Sequence, residues 1–295
     1  MTYCGFVSIA GRPNVGKSTL LNRLVGQKLS ITAHKPQTTR HSILGIHTED
    51  DRQVIYVDTP GIHVTGKHKL NQVLNRTASS SLHDVSAVIL MVQALVWNDD
   101  DQRAFDLVSG SGVPFFIAVN KIDTIKHKKD LLPYLTEMPR HENLIDVFLI
   151  SARKEAGLGA LTSAVHERIP EAPWQYAEDE LTDRSSRFLA AEAVREQLTR
   201  LLSAELPYAL SVEVETFEES KALLRIGAVI WVDKNSQKGI VIGKGGSQLK
   251  EVGTRARATL ETLFDNKVHL QLWVRVKEGW ADDERALRSL GYEGS

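Results

Sequence analysis

Eight residues near the N-terminus, Gly11-Arg12-Pro13-Asn14-Val15-Gly16-Lys17-Ser18, carry the spacing G-x-x-x-x-G-K-S and are followed by Thr19. They come after an apolar run and open a segment with Leu20, Leu21 and Leu24 on one helical face. Glycines at those two places let backbone N–H groups turn inward around phosphate oxygens, and a helix start adds a favourable dipole. In such a loop Lys17 reaches the β- and γ-phosphates and Ser18 ligates Mg²⁺. The chemistry indicated is binding and transfer of a nucleoside triphosphate's terminal phosphoryl group.

Three downstream motifs narrow that reading. Val54-Ile55-Tyr56-Val57-Asp58-Thr59-Pro60-Gly61 ends an apolar run in a carboxylate, where Asp58 serves a magnesium site and the Gly61 N–H can meet a γ-phosphate. Asn120-Lys121-Ile122-Asp123 follows another apolar run. A carboxylate there accepts from guanine N1 and N2, which adenine cannot donate, and a buried site built on that pairing rejects analogues that leave it unpaired. Ser151-Ala152-Arg153 can set a backbone N–H against guanine O6.

The four motifs, in this order and spacing, resemble the guanine-nucleotide domain of the translation-factor-related GTPases. The resemblance implies GTP/GDP and Mg²⁺ as ligands. It also implies that Asn120 braces its loop, Lys121 stacks on the base and Asp123 sets guanine specificity. A switch threonine is expected in Lys35-Pro36-Gln37-Thr38-Thr39-Arg40, with Thr39 favoured as metal and γ-phosphate ligand and Thr38 the alternative. Catalysis is assigned to Lys17, Thr39 and Gly61, and the metal to Ser18, Thr39 and Asp58. Ile62 stands where related enzymes place a water-orienting Gln. Isoleucine cannot hydrogen-bond a water, so intrinsic hydrolysis is expected to be slow. His63, Lys67 and His68 read as exposed switch residues.

A second Gly-rich loop lies far downstream, in Ile240-Val241-Ile242-Gly243-Lys244-Gly245-Gly246-Ser247-Gln248-Leu249-Lys250. A G-x-x-G turn ahead of an amphipathic helix allows close approach to a sugar-phosphate backbone, with Ile240, Ile242 and Leu249 offered to unstacked bases. Between Lys234 and Arg257 the basic residues are Lys234, Lys238, Lys244, Lys250, Arg255 and Arg257, against the single acid Glu251. That local excess reads as an electrostatic track for single-stranded RNA, with Ile242, Gly243, Lys244, Gly245, Gly246, Lys250, Arg255 and Arg257 as contacts. The α-β-β-α-β order around the loop resembles a type II KH domain. A GTPase domain followed by such a domain resembles the bacterial ribosome-assembly GTPases. That likeness implies small-subunit ribosomal RNA near its 3′ end as partner, and a peripheral association with the inner membrane.

The elements that must position these motifs follow from patterning. Gly5–Ala10, Gln53–Val57, Ser86–Val92, Pro114–Asn120 and Asp146–Ile150 read as buried strands alternating with helices, which implies a doubly wound, mostly parallel α/β sheet. Residues 1–169 form the expected GTPase domain and 170–181 a linker around Ile169-Pro170-Glu171-Ala172-Pro173-Trp174. Residues 182–295 form a smaller α/β RNA-binding domain. It starts with a helix capped at Thr182/Asp183 and ended by Pro207, and closes with a helix over Asp282–Leu290. The 295 residues suit two domains. With 36 basic against 37 acidic side chains, the whole chain exerts no pull on nucleic acid, so recognition must rest on the local excess. The lone Cys4 argues for a reducing compartment, and the longest apolar run, Val85 to Trp97, is too short to span a bilayer. A cytoplasmic monomer is expected.

Overall fold

The computed structural model describes residues 1–33, 38–61, 84–202 and 210–280, with Leu82, Leu206 and Asp283. Ile62, His63, Lys67, His68, residues 35–37, Pro207 and the expected closing helix lie outside the described residues. The chain divides into two compact units, one of residues 1–30, 39–66 and 74–183, the other of 31–38, 67–73 and 184–295.

The first unit is built on six strands: β1 (Tyr3–Ala10), β2 (Ile43–Glu49), β3 (Arg52–Asp58), β4 (Ala87–Gln93), β5 (Phe115–Asn120) and β6 (Leu144–Leu149), in spatial order β2-β3-β1-β4-β5-β6. β1, β3, β4, β5 and β6 run parallel, and β4 and β5 are buried along nearly their whole length, as continuous Val/Ile/Leu/Phe runs require. Strand β2 is absent from the sequence reading. It pairs antiparallel with β3 across a two-residue turn at Asp50-Asp51, with Asp50 in the left-handed region at φ 52°. Its burial is interrupted by half-exposed Leu44, His47 and Thr48, so it lacks the unbroken apolar run that marks β4 and β5.

Helices α1 (Lys17–Val25), α2 (Asp99–Ser109), α3 (Leu131–Glu137) and α4 (Leu158–His166) complete this unit among the described residues. Leu20 and Leu21 of α1 are fully buried, stabilising by about 1.5–3 kcal/mol each. Helix α2 starts at a capping box: Asn98 Oδ1 accepts from the N–H groups of Asp100 and Asp101, and Asp101 Oδ2 accepts from Asn98 N. The Asn-Asp-Asp-Asp run after β4 is thus a helix start, with its carboxylates at the positive end of the dipole. Residues 170–181 lie along the first unit. Pro170 O accepts from Cys4 N, Gln53 Oε1 accepts from the N–H groups of Gln175 and Tyr176, and Leu181 O accepts from Ile46 N. Cys4 is buried in a small apolar cluster with Ile46 and Ile55.

The second unit contains α5 (Ser186–Leu201), β7 (Leu210–Glu219), β8 (Leu224–Val232), α6 (Asn235–Ile242), α7 (Ser247–Phe264) and β9 (Val268–Val276). Its sheet order is β7-β8-β9, antiparallel then parallel. Val194 and Leu198 of α5, Val241 of α6 and Val252 and Ala256 of α7 form one core with Ile230, Val232 and Val274 of the sheet. Two expectations are corrected. The cap of α5 is Ser185, whose Oγ accepts from Phe188 N at 3.3 Å, while Asp183 accepts from Leu44 N. The stretch before Gly243, read as loop, is the helix α6, started by Gln237 Oε1 accepting from the N–H groups of Asp233 and Lys234. Helix α5 also buries charge: Arg195 pairs with Glu192 and donates to the Thr38 carbonyl of the same unit.

Candidate functional site

The loop after β1 depends on its glycines. At Gly16, φ is 111°, and a Cβ there would collide with the Asn120 side-chain nitrogen; at Gly11, φ is 139°, and a Cβ would meet the Met91 carbonyl oxygen. Only glycine satisfies both the dihedral and the space. The loop leads directly into α1, so its N–H groups and the helix start share one concavity. Lys17 is buried and donates from Nζ to the Gly11 carbonyl at 2.9 Å and the Arg12 carbonyl at 3.0 Å. Burial pulls its pKa down to about 8, with Asp58 opposing the shift and Arg12 adding to it.

Beside Lys17, four oxygen-bearing side chains converge. Ser18 Oγ and Thr39 Oγ1 lie 2.8 Å apart, and Ser30 Oγ donates to Asp58 Oδ2 at 2.8 Å. The buried Asp58 Oδ1 has no hydrogen-bond partner in the protein, and burial raises the Asp58 pKa against the opposing influence of Lys17, Ser30, Ser18 and Thr39. A buried carboxylate oxygen without a donor, next to two hydroxyls, fits a hard cation that takes its remaining ligands from water and phosphate. It is Thr39, rather than Thr38, whose hydroxyl meets Ser18. Thr59 Oγ1 donates to Ile9 O at 3.0 Å, and buried Pro60 and Gly61 follow. A Cβ on Gly61 would press on the Pro13 ring at 2.7 Å, so this loop packs directly on the phosphate loop.

Asn120 joins two loops. Its Nδ2 donates to Val15 O at 2.8 Å, and its Oδ1 accepts from Ala152 N at 2.9 Å. Ser151 Oγ donates to Asp123 Oδ1 at 2.6 Å, fixing that carboxylate. Asp123 itself is exposed, contrary to the buried setting expected from sequence. Ile122 is half-buried and Arg153 exposed. Lys121 holds φ 68° and donates to Gln93 Oε1 at 2.9 Å.

Comparison with known proteins settles the family. The description "50S ribosome-binding GTPase" fits residues 6–121 and "KH domain" fits residues 205–281. GTPase Era of Stenotrophomonas maltophilia strain K279a is 53% identical over 99% of this chain and 98% of that protein. Its counterpart in Xylella fastidiosa strain Temecula1 is 50% identical over 98% and 97%. The chain belongs to the Era family of GTPases. A solved Era in complex with MgGDPNP and nucleotides 1506–1542 of 16S ribosomal RNA covers 99% of both chains at 36% identity and TM-score 0.94. A variant of Aquifex aeolicus Era bound to GDP·AlF4⁻ matches at 36% identity and TM-score 0.93.

Several residues that shape this Era-family site escaped the sequence reading. Ser30 reaches Asp58 because Asn22 of α1 accepts from the Leu29 and Ser30 N–H groups and donates to Ser30 O. Asp101 is fully buried and takes Arg12 Nε on both carboxylate oxygens, at 2.9 and 2.8 Å. Polar residues on a helix carry no periodic signal of this kind, although Arg12 inside the phosphate loop was a visible unpaired charge.

In the second Gly-rich loop, Gly243 has φ 73° and ψ 171°, and Gly245 and Gly246 are left-handed. Gly246 N donates to Gly243 O at 3.1 Å, closing the turn ahead of α7. Ile240 is 58% exposed, whereas Ile242 and Leu249 are half-buried and pack partly against the core. The basic track is also divided. Lys250 and Arg257, seven residues apart, share one flank of α7, while Arg255 lies on the other and pairs with Glu251 at 2.7 Å. Lys234 and Lys238 belong to the start of α6, and Lys244 to the turn itself.

The Lys17 shift predicts a pH dependence. Bound phosphate must raise the Lys17 pKa from about 8, so guanine-nucleotide affinity should be full below about pH 8 and decline as pH rises beyond it. Binding at about pH 9 should take up a proton, measurable by calorimetric titration in buffers of different ionisation heat. Proton release at that pH would contradict the assignment.

Proposed function

We propose that this chain is a slow GTP-hydrolysing switch that binds small-subunit (16S) ribosomal RNA near its 3′ end and acts in assembly of the small ribosomal subunit. The observation that carries the reading is the near-complete likeness to an Era bound to MgGDPNP and 16S nucleotides 1506–1542. The proposed organisation is a GTPase domain over 1–169, a connecting segment over 170–181 and a KH domain over 182–295.

In this mechanism Gly11, Asn14, Val15, Gly16 and Thr19 contribute backbone to the phosphate cradle, and Lys17 leaves the loop carbonyls to meet the β/γ-phosphates. Ser18, Thr39 and Asp58 would hold Mg²⁺, which when bound would neutralise charge on those phosphates. Asp123 reads guanine N1 and N2, Asn120 keeps its loop tied to the phosphate loop, and the Ala152 region faces O6. The Gly61 N–H would contact the γ-phosphate. Hydrolysis releases the Thr39 and Asp58–Gly61 loops. Gly243 to Gly246 approach the RNA backbone, with Lys244, Lys250 and Arg257 balancing phosphate charge. Linkage requires that nucleotide and RNA alter each other's affinity by equal factors. No helix among the described residues is long and apolar enough to cross a membrane. Cytoplasmic residence, argued from the lone Cys4 and the short apolar runs, and a monomeric state belong to the same proposal, while peripheral inner-membrane association rests on family resemblance alone.

The test is crosslinking of the full chain to cellular RNA, followed by sequencing. Enrichment of the 3′ end of 16S RNA is expected; enrichment of transfer RNA without small-subunit RNA would overturn the reading.

A further inference from the structure

We propose that Gln93 is a positioning residue for nucleotide binding, anchoring the Lys121 ammonium so that the lysine stem is already laid out as a stacking surface for the base. This rests on the guanine-nucleotide reading of the site above. Gln93 is the last residue of β4, and strand register places it beside Asn120, the first residue of the base-recognition motif. Its backbone is fixed from three directions: its carbonyl accepts from Val96 N and from the Tyr134 hydroxyl at 3.2 Å, and the next N–H, that of Ala94, donates to Asn120 O. Its side-chain oxygen is therefore a well-located acceptor, and it lies 2.9 Å from Lys121 Nζ.

Lysine needs such an anchor here. A free lysine carries substantial rotamer entropy, some of which must be lost when the stem is pressed against a base. Holding the ammonium beforehand removes part of that cost from the binding step. The surroundings work against the Lys121 charge, chiefly through burial and secondly through Arg12, with Asp123 opposing them. Arg12 is itself turned towards Asp101 on α2, and the Lys121 ammonium donates to the neutral Gln93 oxygen, while the Asp123 charge also favours its cationic form.

The consequence is specific. Stacking is blind to the phosphate count and to the substituent at guanine C2, so loss of the anchor should weaken GDP, a non-hydrolysable GTP analogue and IDP by one common factor. Gln93→Met keeps the length and removes the acceptor; Gln93→Glu keeps the acceptor. In equilibrium titrations of the full chain, Gln93→Met should bind all three nucleotides about tenfold more weakly, with kcat at saturating GTP unchanged. Gln93→Glu should bind at least as tightly as the parent. In a Lys121→Met background, Gln93→Met should have no further effect. Parent-like affinity in Gln93→Met, unequal factors among the nucleotides, or failure of Gln93→Glu to restore binding would each overturn the proposal. A parent chain that binds no guanine nucleotide would instead overturn the reading of the site itself.

Discussion

Asp123→Asn should convert preference for guanine into preference for xanthine. The Asp123 carboxylate can accept two hydrogen bonds from guanine, at N1–H and the 2-amino group. Each bond to a charged acceptor is worth about 1.5–3 kcal/mol, so loss of complementarity should lower GDP affinity by roughly 10²- to 10⁴-fold. Asp123 is exposed, which places the expected effect towards the lower end of that range. Asparagine keeps an oxygen that can still accept from Ser151 Oγ, which now lies 2.6 Å from Asp123 Oδ1, so the side chain stays aimed at the base. Its amide N–H then faces the 2-oxo group of xanthine, restoring the pair. Competitive displacement of a labelled guanine nucleotide by GDP and XDP measures the swing. An unchanged GDP/XDP ratio would remove Asp123 from base recognition.

Gly243→Asp should abolish most RNA binding while leaving hydrolysis of GTP in the absence of RNA within about twofold of the parent. The dihedrals of Gly243, φ 73° and ψ 171°, fall in a region essentially restricted to glycine, costing other residues about 1–3 kcal/mol. Space is equally short, since a Cβ would stand 2.7 Å from Gln248 Cβ and 2.9 Å from Gln248 N. The loop can relieve this only by moving, which displaces the N–H groups at the start of α7. A carboxylate then adds repulsion where phosphate approaches. Together these effects should reduce affinity for a 16S 3′-end fragment by at least about 100-fold, read by fluorescence anisotropy. Gly239→Ala, where a Cβ meets nothing within 4 Å, is the control and should bind like the parent. RNA binding by Gly243→Asp at parental strength would exclude the loop from the interface.

What the sequence made legible were the features governed by backbone chemistry. Gly11 to Ser18, Asp58 to Gly61, Asn120 to Asp123 and Gly243 to Gly246 are local patterns, each requiring particular residue types at fixed spacing. Strands β4 and β5 were equally visible, because burial on both faces demands unbroken apolar runs. Strand β2 was missed because only part of it is buried, and α6 because Gly239 and the glycines after it resemble a loop. Ser30, Gln93 and Asp101 were missed for another reason: their roles depend on side chains brought together from distant elements. A local charge excess likewise says nothing about helical phase, and phase is what separates Arg255 from Lys250 and Arg257.

Cys4 is 3% exposed, and its sulfur faces Gln53 Oε1 at 3.7 Å inside the first unit. As the sole thiol in this sequence, it leaves the folded chain nearly inert towards maleimides. A cysteine introduced at an exposed turn, such as Lys221→Cys, would therefore accept a fluorophore at one address, with no background to remove by first mutating the core. Spectroscopic distance measurements between nucleotide states thus start from the unaltered scaffold.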